Sequence, residues 1–318
     1  MSTTTAGGGG SGDADFFLYT SGGTSIERAL GAVSNVGTHE LLDPWLHPAG
    51  DNNWQGLAHI LGGAPSQVFH TWGPGGGTVS QTVREAVSTA PTVDDGSVVL
   101  DFDFTPGNPP TLGPTNIEWF NSIGISLRSV AAGGIPDMVL QAFGTRHVLT
   151  LQTPASPWRA RWYDENGVPL TDSFPVPGTP HAGIDPWFKL LLDGRVAIND
   201  GATWAAVLPD GQAHNDPVPD WLSSRPNTRI ATIRQGSGYA VMPLLFSGSS
   251  KFEILTPDGS SCGAFNTPAP SPPNGETWGP ESLNVGYDGT LLEVDNAHGG
   301  DLDVSIHCVY RWWPALLK

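Results

Sequence analysis

The feature that most constrains this chain is a strand–turn–strand pattern that recurs at nearly constant spacing. The segments Glu118–Leu127 (EWFNSIGISL) and Arg161–Leu170 (RWYDENGVPL) each place an aromatic pair before a polar turn that contains glycine. Equivalent turn glycines follow one another at Gly124, Gly167, Gly211 and Gly259. The steps between them are 43, 44 and 48 residues, so a structural unit of about 45 residues repeats along the chain.

A second marker recurs between these turns. Aspartate–glycine pairs open three β-rich runs, at Asp95-Gly96, Asp193-Gly194 and Asp288-Gly289. Such a pair between extended segments is a strong hairpin signal, because the turn requires a positive φ. Each repeat therefore contains two hairpins, and four strands in about 45 residues are typical of a β-propeller blade.

The number of repeats predicts seven blades, with six as the alternative. Gly76 lies 48 residues before Gly124, and Gly22 lies 54 residues before Gly76. These two turns and the four later ones give six hairpins, to which residues from about 280 onward add a C-terminal unit. We expect the N-terminal run Phe16–Thr20 to complete the last blade, because closure of the ring removes unpaired strand edges.

Composition supports an all-β globular domain and restricts its partners. Glycine and proline supply 41 and 29 of the 318 residues, which suits many short strands joined by turns. The high glycine and proline content does not indicate a disordered chain, because 38% of the residues are hydrophobic and 12 are tryptophan. With 14 basic and 31 acidic residues the formal net charge is −17, which argues against nucleic acid and anionic membranes as partners.

The predicted organisation is a flexible tail or tether rich in Gly, Ser and Thr at residues 1–14, followed by a single propeller at residues 15–318. The start has neither the basic nor the apolar region of a signal peptide. No apolar run reaches the length expected of a membrane-spanning helix, about 18 residues. Two stretches, Thr24–Val33 and Thr78–Val87, have an apolar spacing that also suits a short helix.

Several motifs together resemble those of a known group of proteins. They are the PDG turns at 209–211 and 257–259, the DG strand openings and the C-terminal segment Cys308–Lys318 (CVYRWWPALLK). They look like uncharacterised surface-lipoprotein-like β-propeller proteins of myxobacterial type, and the resemblance is best over residues 140–318. It implies a β-propeller and an extracellular, cell-surface or periplasmic location, with a cytoplasmic location as the alternative. It supplies no catalytic residues.

The sequence contains no established catalytic or metal-binding motif. There is no GxSxG nucleophile elbow, and Gly75–Gly77 lack the lysine and the helix of a phosphate-binding loop. The acidic segment Asp295–Asp303 (DNAHGGDLD) offers oxygen ligands of the type that Ca²⁺ binds, but a solvated loop explains it equally well. Asp101 and Asp103 alternate with apolar residues, as on a solvent-facing side of a strand. We therefore predict no catalytic residues, no metal and no cofactor, with calcium as the alternative.

Aromatic residues beside acidic residues or histidines are the best candidates for ligand binding. Three tryptophans occur in repeated Asp-Pro-Trp or Pro-Asp-Trp connections between strands. The candidate ligand-binding residues are Trp45, His70, Trp72, His181, Asp185, Trp187 and Trp221. Exposed rings offer flat apolar faces to sugars or to partner proteins, whereas packing of the rings within the fold is the alternative.

The sequence therefore predicts a non-catalytic binding or interaction protein, with a carbohydrate or protein ligand held by loops at one mouth of the central channel. An enzyme that uses histidine and carboxylate groups at that mouth, such as a lyase, hydrolase or cyclase, is the first alternative. A structural component of a larger assembly is the second.

The two cysteines, Cys262 and Cys308, are predicted to form a disulfide if the protein is exported, and two inert thiols are the alternative. A disulfide closing such a loop would contribute about 3–4 kcal/mol to stability. The intact protein should then gain the mass of two hydrogen atoms on treatment with a reductant, and neither thiol should be alkylated before that treatment. An unchanged mass, with both thiols alkylated, would assign the cysteines as free.

Overall fold

The structure is a computed structural model that describes the chain in segments. The described residues are 5–6, 14–19, 26–33, 39–60, 65, 67–73, 78–105, 111–142, 144–153, 157–176, 187–199, 203–209, 215–225, 228–233, 238–243, 251–266, 277–285, 291–298 and 305–312. Within them the chain is almost entirely β-strand, which confirms the predicted all-β class.

The strands are numbered in chain order and grouped by sheet. Three N-terminal strands are β1 (Thr5–Ala6), β2 (Ala14–Tyr19) and β3 (Ile26–Val33). Blade 1 consists of β4 (His39–Pro48), β5 (Trp54–Ile60), β6 (Gln67–Trp72) and β7 (Thr78–Gln81). Blade 2 consists of β8 (Glu85–Pro91), β9 (Ser97–Thr105), β10 (Thr111–Phe120) and β11 (Ser126–Ala131). Blade 3 consists of β12 (Met138–Gln141), β13 (Val148–Gln152), β14 (Trp158–Tyr163) and β15 (Phe174–Val176).

The remaining sheets follow the same plan. Blade 4 consists of β16 (Trp187–Leu190), β17 (Val196–Asn199), β18 (Trp204–Val207) and β19 (Asn215–Asp216). Blade 5 consists of β20 (Thr228–Ile233), β21 (Gly238–Pro243), β22 (Lys251–Leu255) and β23 (Ser261–Asn266). The C-terminal strands are β24 (Thr277–Val285), β25 (Leu291–His298) and β26 (Ser305–Trp312). The helices of the described residues are a 3-10 turn, Gly50–Asn52, and α1, Asp220–Ser223.

The sheets are arranged radially, as their contacts show. Within blades 1–5 the strands pair in chain order, each antiparallel to the one before it. The first strand of each blade contacts the first strand of the next, from β4 through β8, β12, β16 and β20 to β24. Strand β24 in turn contacts β4, which closes the ring of first strands around a central axis. The fold is therefore a β-propeller, as the repeat spacing predicts.

The sixth blade is built from both ends of the chain. Its strand order is β24-β25-β26-β2-β3, and β2 runs parallel to β26 with Phe16 opposite Val309. Within the predicted tail, Thr5–Ala6 form β1, which pairs with β26, and Ala14 begins β2. The preference for seven blades is wrong for the described residues, which form six sheets. The N-terminal hairpin and the C-terminal unit were counted separately, but they share one sheet.

The two stretches with helical spacing form strands. Ile26–Val33 of the first stretch is β3, and the second contains β7 and the start of β8. Each of these strands satisfies the backbone groups on one of its edges by pairing with a neighbour, β3 with β2, β7 with β6 and β8 with β9. Tertiary pairing within a blade therefore overrides a weak local preference for helix.

Blades 2, 3 and 4 each bury both faces of their sheet against the neighbouring blades. In blade 3, Trp158 and Trp162 pack with Ile198 and Val207 of blade 4. The next residue, Tyr163, points to the opposite face and packs in a cluster that contains residues of blade 2. Burial of each large apolar side chain contributes roughly 1.5–3 kcal/mol, so the ring is stabilised mainly by contacts between blades.

The repeated turn glycines allow this close packing. Gly167 has a φ of 76° and donates its N–H to Asp164 O at 3.0 Å, while the Asp164 N–H donates to Val168 O at 2.9 Å. The same pair of hydrogen bonds occurs in the turns that contain Gly124 and Gly259. A β-carbon on Gly167 would overlap the side chain of Val130 in blade 2. The period found in the sequence thus marks positions where one blade's outer turn touches the preceding blade.

Replacing Gly167 with alanine should reduce stability more than replacing Gly144. Both glycines have a positive φ, 76° and 78°, so each alanine has a backbone cost of about 1–2 kcal/mol. A β-carbon at Gly144 meets no atom within 4 Å, whereas at Gly167 the overlap with Val130 adds about 1–3 kcal/mol. Urea unfolding of G167A and G144A measures the difference. Equal losses of stability would show that the contact with Val130 does not constrain the turn.

Candidate interaction surface

Two of the predicted ligand-binding residues, His70 and Trp72, lie inside blade 1. Both are on β6, and their exposures are 1% and 0%. Their rings stack with centres 4.2 Å apart and planes 9° apart, and His70 Nε2 lies 3.1 Å from Thr78 Oγ1. In this structure the two side chains are therefore packed within the fold and offer no surface to a ligand.

Trp221 lies in α1, between blades 4 and 5. It is half-buried, and its ring centre is 4.6 Å from that of Tyr239. A β-carbon on Gly259 would overlap the Trp221 side chain, so the ring packs on the outer turn of blade 5. This placement matches the packing alternative, although part of the ring remains accessible.

The other predicted ligand-binding residues have no described side chain. Trp45 is on β4 and Trp187 begins β16, but their side chains lie outside the described part of the structure. His181 and Asp185 lie outside the described residues altogether. The described candidates are spread over blade 1 and the connection between blades 4 and 5, and the structure does not bring them together.

The structure does not test the predicted disulfide, because one of the two cysteine side chains is not described. Cys262 is exposed on β23, the outer strand of blade 5. Cys308 is on β26 of blade 6, and its side chain lies outside the described part of the structure. The bond stays a prediction.

A group of exposed apolar side chains marks the outer edges of blades 1–3. We call it the apolar rim. Its members are Val79, Ile123, Ile125, Leu127, Val168 and Leu170, with exposures of 46%, 39%, 55%, 63%, 56% and 36%. They lie on β7, in the outer turn of blade 2, on β11, and after the outer turn of blade 3. Large apolar residues at this exposure are informative only when they cluster, as they do here.

The outer turns of blades 2 and 3 each pack on the outermost strand of the preceding blade, and these contacts link the members of the apolar rim. A β-carbon on Gly124, which lies between Ile123 and Ile125, would overlap Ser80 of blade 1, next to Val79. In the same way the outer turn of blade 3 packs on β11 of blade 2. Exposed apolar residues on three consecutive blades therefore belong to one surface.

Arg128, on β11, spans the gap between blades 2 and 3. Its guanidinium carbon lies 4.6 Å from the centre of the Trp119 ring, an arrangement that stabilises a cation. Its Nη1 donates to Asn166 Oδ1 in the outer turn of blade 3 at 3.1 Å. Neutral groups therefore hold this side chain in place.

Arg159 and Arg161 lie on the face of β14 that turns toward blade 2. Side chains two residues apart on a strand share a face, and Tyr163 on this face packs with blade 2. Arg161 Nε donates to Thr171 O at 3.0 Å, and Arg159 Nε donates to Ser173 Oγ at 2.9 Å. Both guanidinium groups thus reach the outer end of blade 3 and bind neutral oxygens there.

We call Arg128, Arg159 and Arg161 the rim arginines. Among the described residues, none of the three has a carboxylate within ion-pair distance. The whole chain has a net charge of −17, so three arginines without an ion pair among the described residues are unusual on this acidic protein, although Asp164, Glu165 and Asp172 lie on the same part of blade 3.

The sequence analysis missed this surface, although one signal for it was present. Turn positions are normally filled by polar residues or by glycine and proline. Ile123 and Ile125 flank the turn glycine Gly124, and Val168 directly follows Gly167. Apolar residues inside otherwise polar turns have no core to enter, so they indicate exposed apolar surface.

A buried carboxyl pair lies between blades 1 and 2. Asp101 and Glu118 have side-chain exposures of 1% and 10%, and Arg84 Nη1 lies 3.3 Å from Asp101 Oδ1 and from Glu118 Oε2. Burial raises the pKa of Asp101 from 3.8 to about 7, aided by the hydrogen bond and charge of Glu118 and opposed by Arg84. Because the Asp101 side chain is only 1% exposed, its carboxyl group can bind a proton but is not accessible to a substrate in this structure.

A buried serine–histidine contact lies nearby. Ser97 Oγ donates to Gln55 Oε1 at 2.6 Å and lies 3.1 Å from His47 Nε2. His47 Nδ1 in turn lies 2.9 Å from Gln55 O. All three residues are at most 1% exposed, so the network satisfies buried polar groups and offers no access to a substrate.

The described residues contain neither a cluster of metal-ligating side chains nor a helix suited to cross a membrane. There, no group of three or more His, Cys, Asp and Glu side chains is arranged to hold a metal ion. The side chains of the acidic segment 295–303 lie outside that part, so calcium at this segment is untested. No described helix combines the length and the apolarity that a membrane crossing needs.

The chain resembles several solved structures, but these comparisons assign it to no family. No family model matches the chain, and no curated protein matches it. A protein of unknown function from Bacteroides caccae is 13% identical, with a TM-score of 0.49 over 83% of this chain and 94% of that one. BamB from Moraxella catarrhalis is 15% identical, with a TM-score of 0.41 over 94% of this chain and 82% of that one. BBS1N, solved in complex with ARL6DN, is 12% identical, with a TM-score of 0.46 over 88% and 95%. Similarities of this size carry no argument about function.

Replacing Asp101 with asparagine should weaken the pH dependence of stability. Folded Asp101 stays protonated up to about pH 7, whereas in the unfolded chain it ionises near its ordinary pKa of 3.8. Between these values the folded state holds more protons, so the stability contributed by Asp101 is complete at low pH and is lost as the pH rises toward 7.

Urea unfolding of the wild type, D101N and D94N at about pH 4 and about pH 8 tests this assignment. The wild type should lose on the order of a few kcal/mol over this range, and D101N should lose less. Asp94 is 57% exposed, so D94N is the matched control and should retain the wild-type loss. If D101N loses as much as D94N, another group is responsible for the pH dependence.

Proposed function

We propose that this propeller is a non-catalytic interaction protein that binds a protein partner on the outer edges of blades 1–3. The observation that carries the proposal is the apolar rim, whose six large side chains are 36–63% exposed on three consecutive blades. Monomeric proteins seldom expose contiguous apolar surface unless it binds something. A partner covering the rim would gain about 25 cal/mol for each Å² of apolar area removed from water.

A protein partner fits the described residues better than a carbohydrate does. Sugar recognition needs an accessible aromatic face. The tryptophans with described side chains are all buried or half-buried: Trp54, Trp72, Trp119, Trp158, Trp162, Trp204 and Trp221. The proposal therefore moves the binding site from the channel mouth to the apolar rim.

The enzyme alternative has no support among the described residues. The Asp101–Glu118 pair and the Ser97–His47 contact are both buried, so neither can act on a substrate in this structure. The alternative of an assembly component is compatible with the proposal, because a permanent neighbour would use the same apolar rim as a transient one.

An exported or surface-attached location is also part of the proposal. It is supported by the tether-like composition of residues 1–14, and a disulfide between Cys262 and Cys308 would be consistent with it. The mass measurement on the cysteines bears on this part alone and leaves the binding surface unaffected.

The double variant I125E/L127E should lose the partner. Ile125 and Leu127 are 55% and 63% exposed, so the glutamates can remain hydrated in the free protein and become buried only in the complex. V83E is the matched control, because Val83 is 87% exposed and lies outside the apolar rim. Thermal unfolding of both variants should match the wild type.

Affinity capture from an extract of the source organism, followed by quantitative mass spectrometry, compares the three proteins. A partner should be retained by the wild type and V83E, and its recovery should fall at least about tenfold with I125E/L127E. If every captured protein is recovered equally with all three, the apolar rim is not the binding surface.

A further inference from the structure

Among the described residues, the outermost strand of each of blades 1–5 pairs on one side only, and most of these edges are short or irregular. In the four-stranded blades, β7 has four residues, β19 has two, and β15 has three including Pro175. Strand β23 has six residues, but Gly263 within it has a φ of 139°. Short, proline-containing and distorted edges discourage pairing with other chains.

Strand β11 lacks these protective features. Its six residues, Ser126–Ala131, contain neither glycine nor proline, and none has a positive φ. The residues Ser126, Leu127, Ser129 and Ala131 are exposed. Among the outermost strands of blades 1–5, β11 is thus the longest regular edge that is open to solvent.

The register shows which backbone groups of β11 point outward. Ala132 N donates to Thr115 O at 2.8 Å, and Ala131 lies opposite Asn116. Hydrogen-bonded and non-hydrogen-bonded pairs alternate in an antiparallel ladder. Ser129 and Ala131 therefore occupy non-hydrogen-bonded positions toward β10, and their N–H and C=O groups are directed away from the blade.

The surroundings of this edge differ on its two sides. Toward blade 3 lie the rim arginines, which have no ion pair among the described residues, together with Val168 and Leu170 of the apolar rim. Toward blade 1 lie Ile123, Ile125 and Val79 of the apolar rim. Successive side chains of an added strand would point to these two sides in turn.

We propose that β11 accepts an extended segment of the partner protein as a fifth strand of blade 2, and that this segment alternates acidic and apolar residues. The inference rests on the proposed function and adds the chemistry of the partner. Backbone hydrogen bonds to Ser129 and Ala131 supply affinity, and the alternation supplies specificity. The acidic residues neutralise the rim arginines, and the apolar residues cover the apolar rim.

A synthetic peptide with alternating Glu and Val, capped at both ends and labelled with fluorescein, is the probe. Fluorescence anisotropy should show binding to the wild type that weakens as salt is added. A peptide with Lys in place of Glu should bind at least about tenfold more weakly. Equal binding of the two peptides, or no binding of the Glu–Val peptide, would overturn the inference.

Two variant pairs separate the charge contribution from strand pairing. R159Q/R161Q should weaken the Glu–Val peptide about tenfold or more. The control R195Q/R225Q removes the same charge on blades 4 and 5, at arginines that pair with Asp193 and Glu253, and should bind as the wild type does. S129P removes the outward N–H without breaking the ladder to β10 and should abolish binding, whereas S129A keeps that N–H and should bind normally.

The two proposals fail in distinguishable ways. If I125E/L127E loses the captured partner while S129P retains both the partner and the peptide, the apolar rim is the binding surface and strand addition is wrong. If R159Q/R161Q and R195Q/R225Q weaken the peptide equally, the rim arginines have no special role and the acidic partner is wrong. Far-UV circular dichroism and thermal unfolding of each variant verify that it is folded.

Discussion

The structure depends on one constraint: a blade must bury both faces of its sheet against neighbouring blades, as blades 2, 3 and 4 do. Adjacent residues on β14 show the requirement, since Trp162 packs toward blade 4 and Tyr163 toward blade 2. No blade can satisfy this alone, because each face needs a partner sheet. The ring must therefore close, and the pairing of β2 with β26 joins both ends of the chain in one blade.

Much of the fold was predictable because turns are determined locally. A turn with a positive φ favours glycine whatever surrounds it, so the period of Gly124, Gly167 and Gly259 was visible without tertiary information. The number of blades, in contrast, is determined by contacts between distant parts of the chain. Whether the N-terminal hairpin forms its own blade or joins the C-terminal strands depends on long-range pairing, which the sequence pattern does not encode. The helical spacing of Thr78–Val87 failed for the same reason, since strand pairing decided its conformation.

The candidate site was less predictable, because exposure is a property of the assembled ring. Tryptophans and histidines were the predicted ligand-binding residues. In the folded propeller, however, Trp72 and His70 are buried on β6 of blade 1, and Trp221 packs on the outer turn of blade 5. The surface that remains open is made of aliphatic residues, which look like core residues in a strand pattern. Position in a turn distinguishes Ile123, Ile125 and Val168 from core residues, whereas Val79 and Leu127 lie on strands and give no such signal.

Arginine side chains have different partners at two neighbouring interfaces between blades. Between blades 1 and 2, Arg84 contacts both Asp101 and Glu118, so the protein supplies its own counter-charges there. Between blades 2 and 3, Arg128 and Arg161 bind only neutral oxygens of the described residues. Such contacts hold the side chains without an ion pair among the described residues, although the chain has 31 acidic residues that could have supplied one. Packing alone therefore does not account for positive charge at this edge, whereas an acidic partner strand would compensate it on binding.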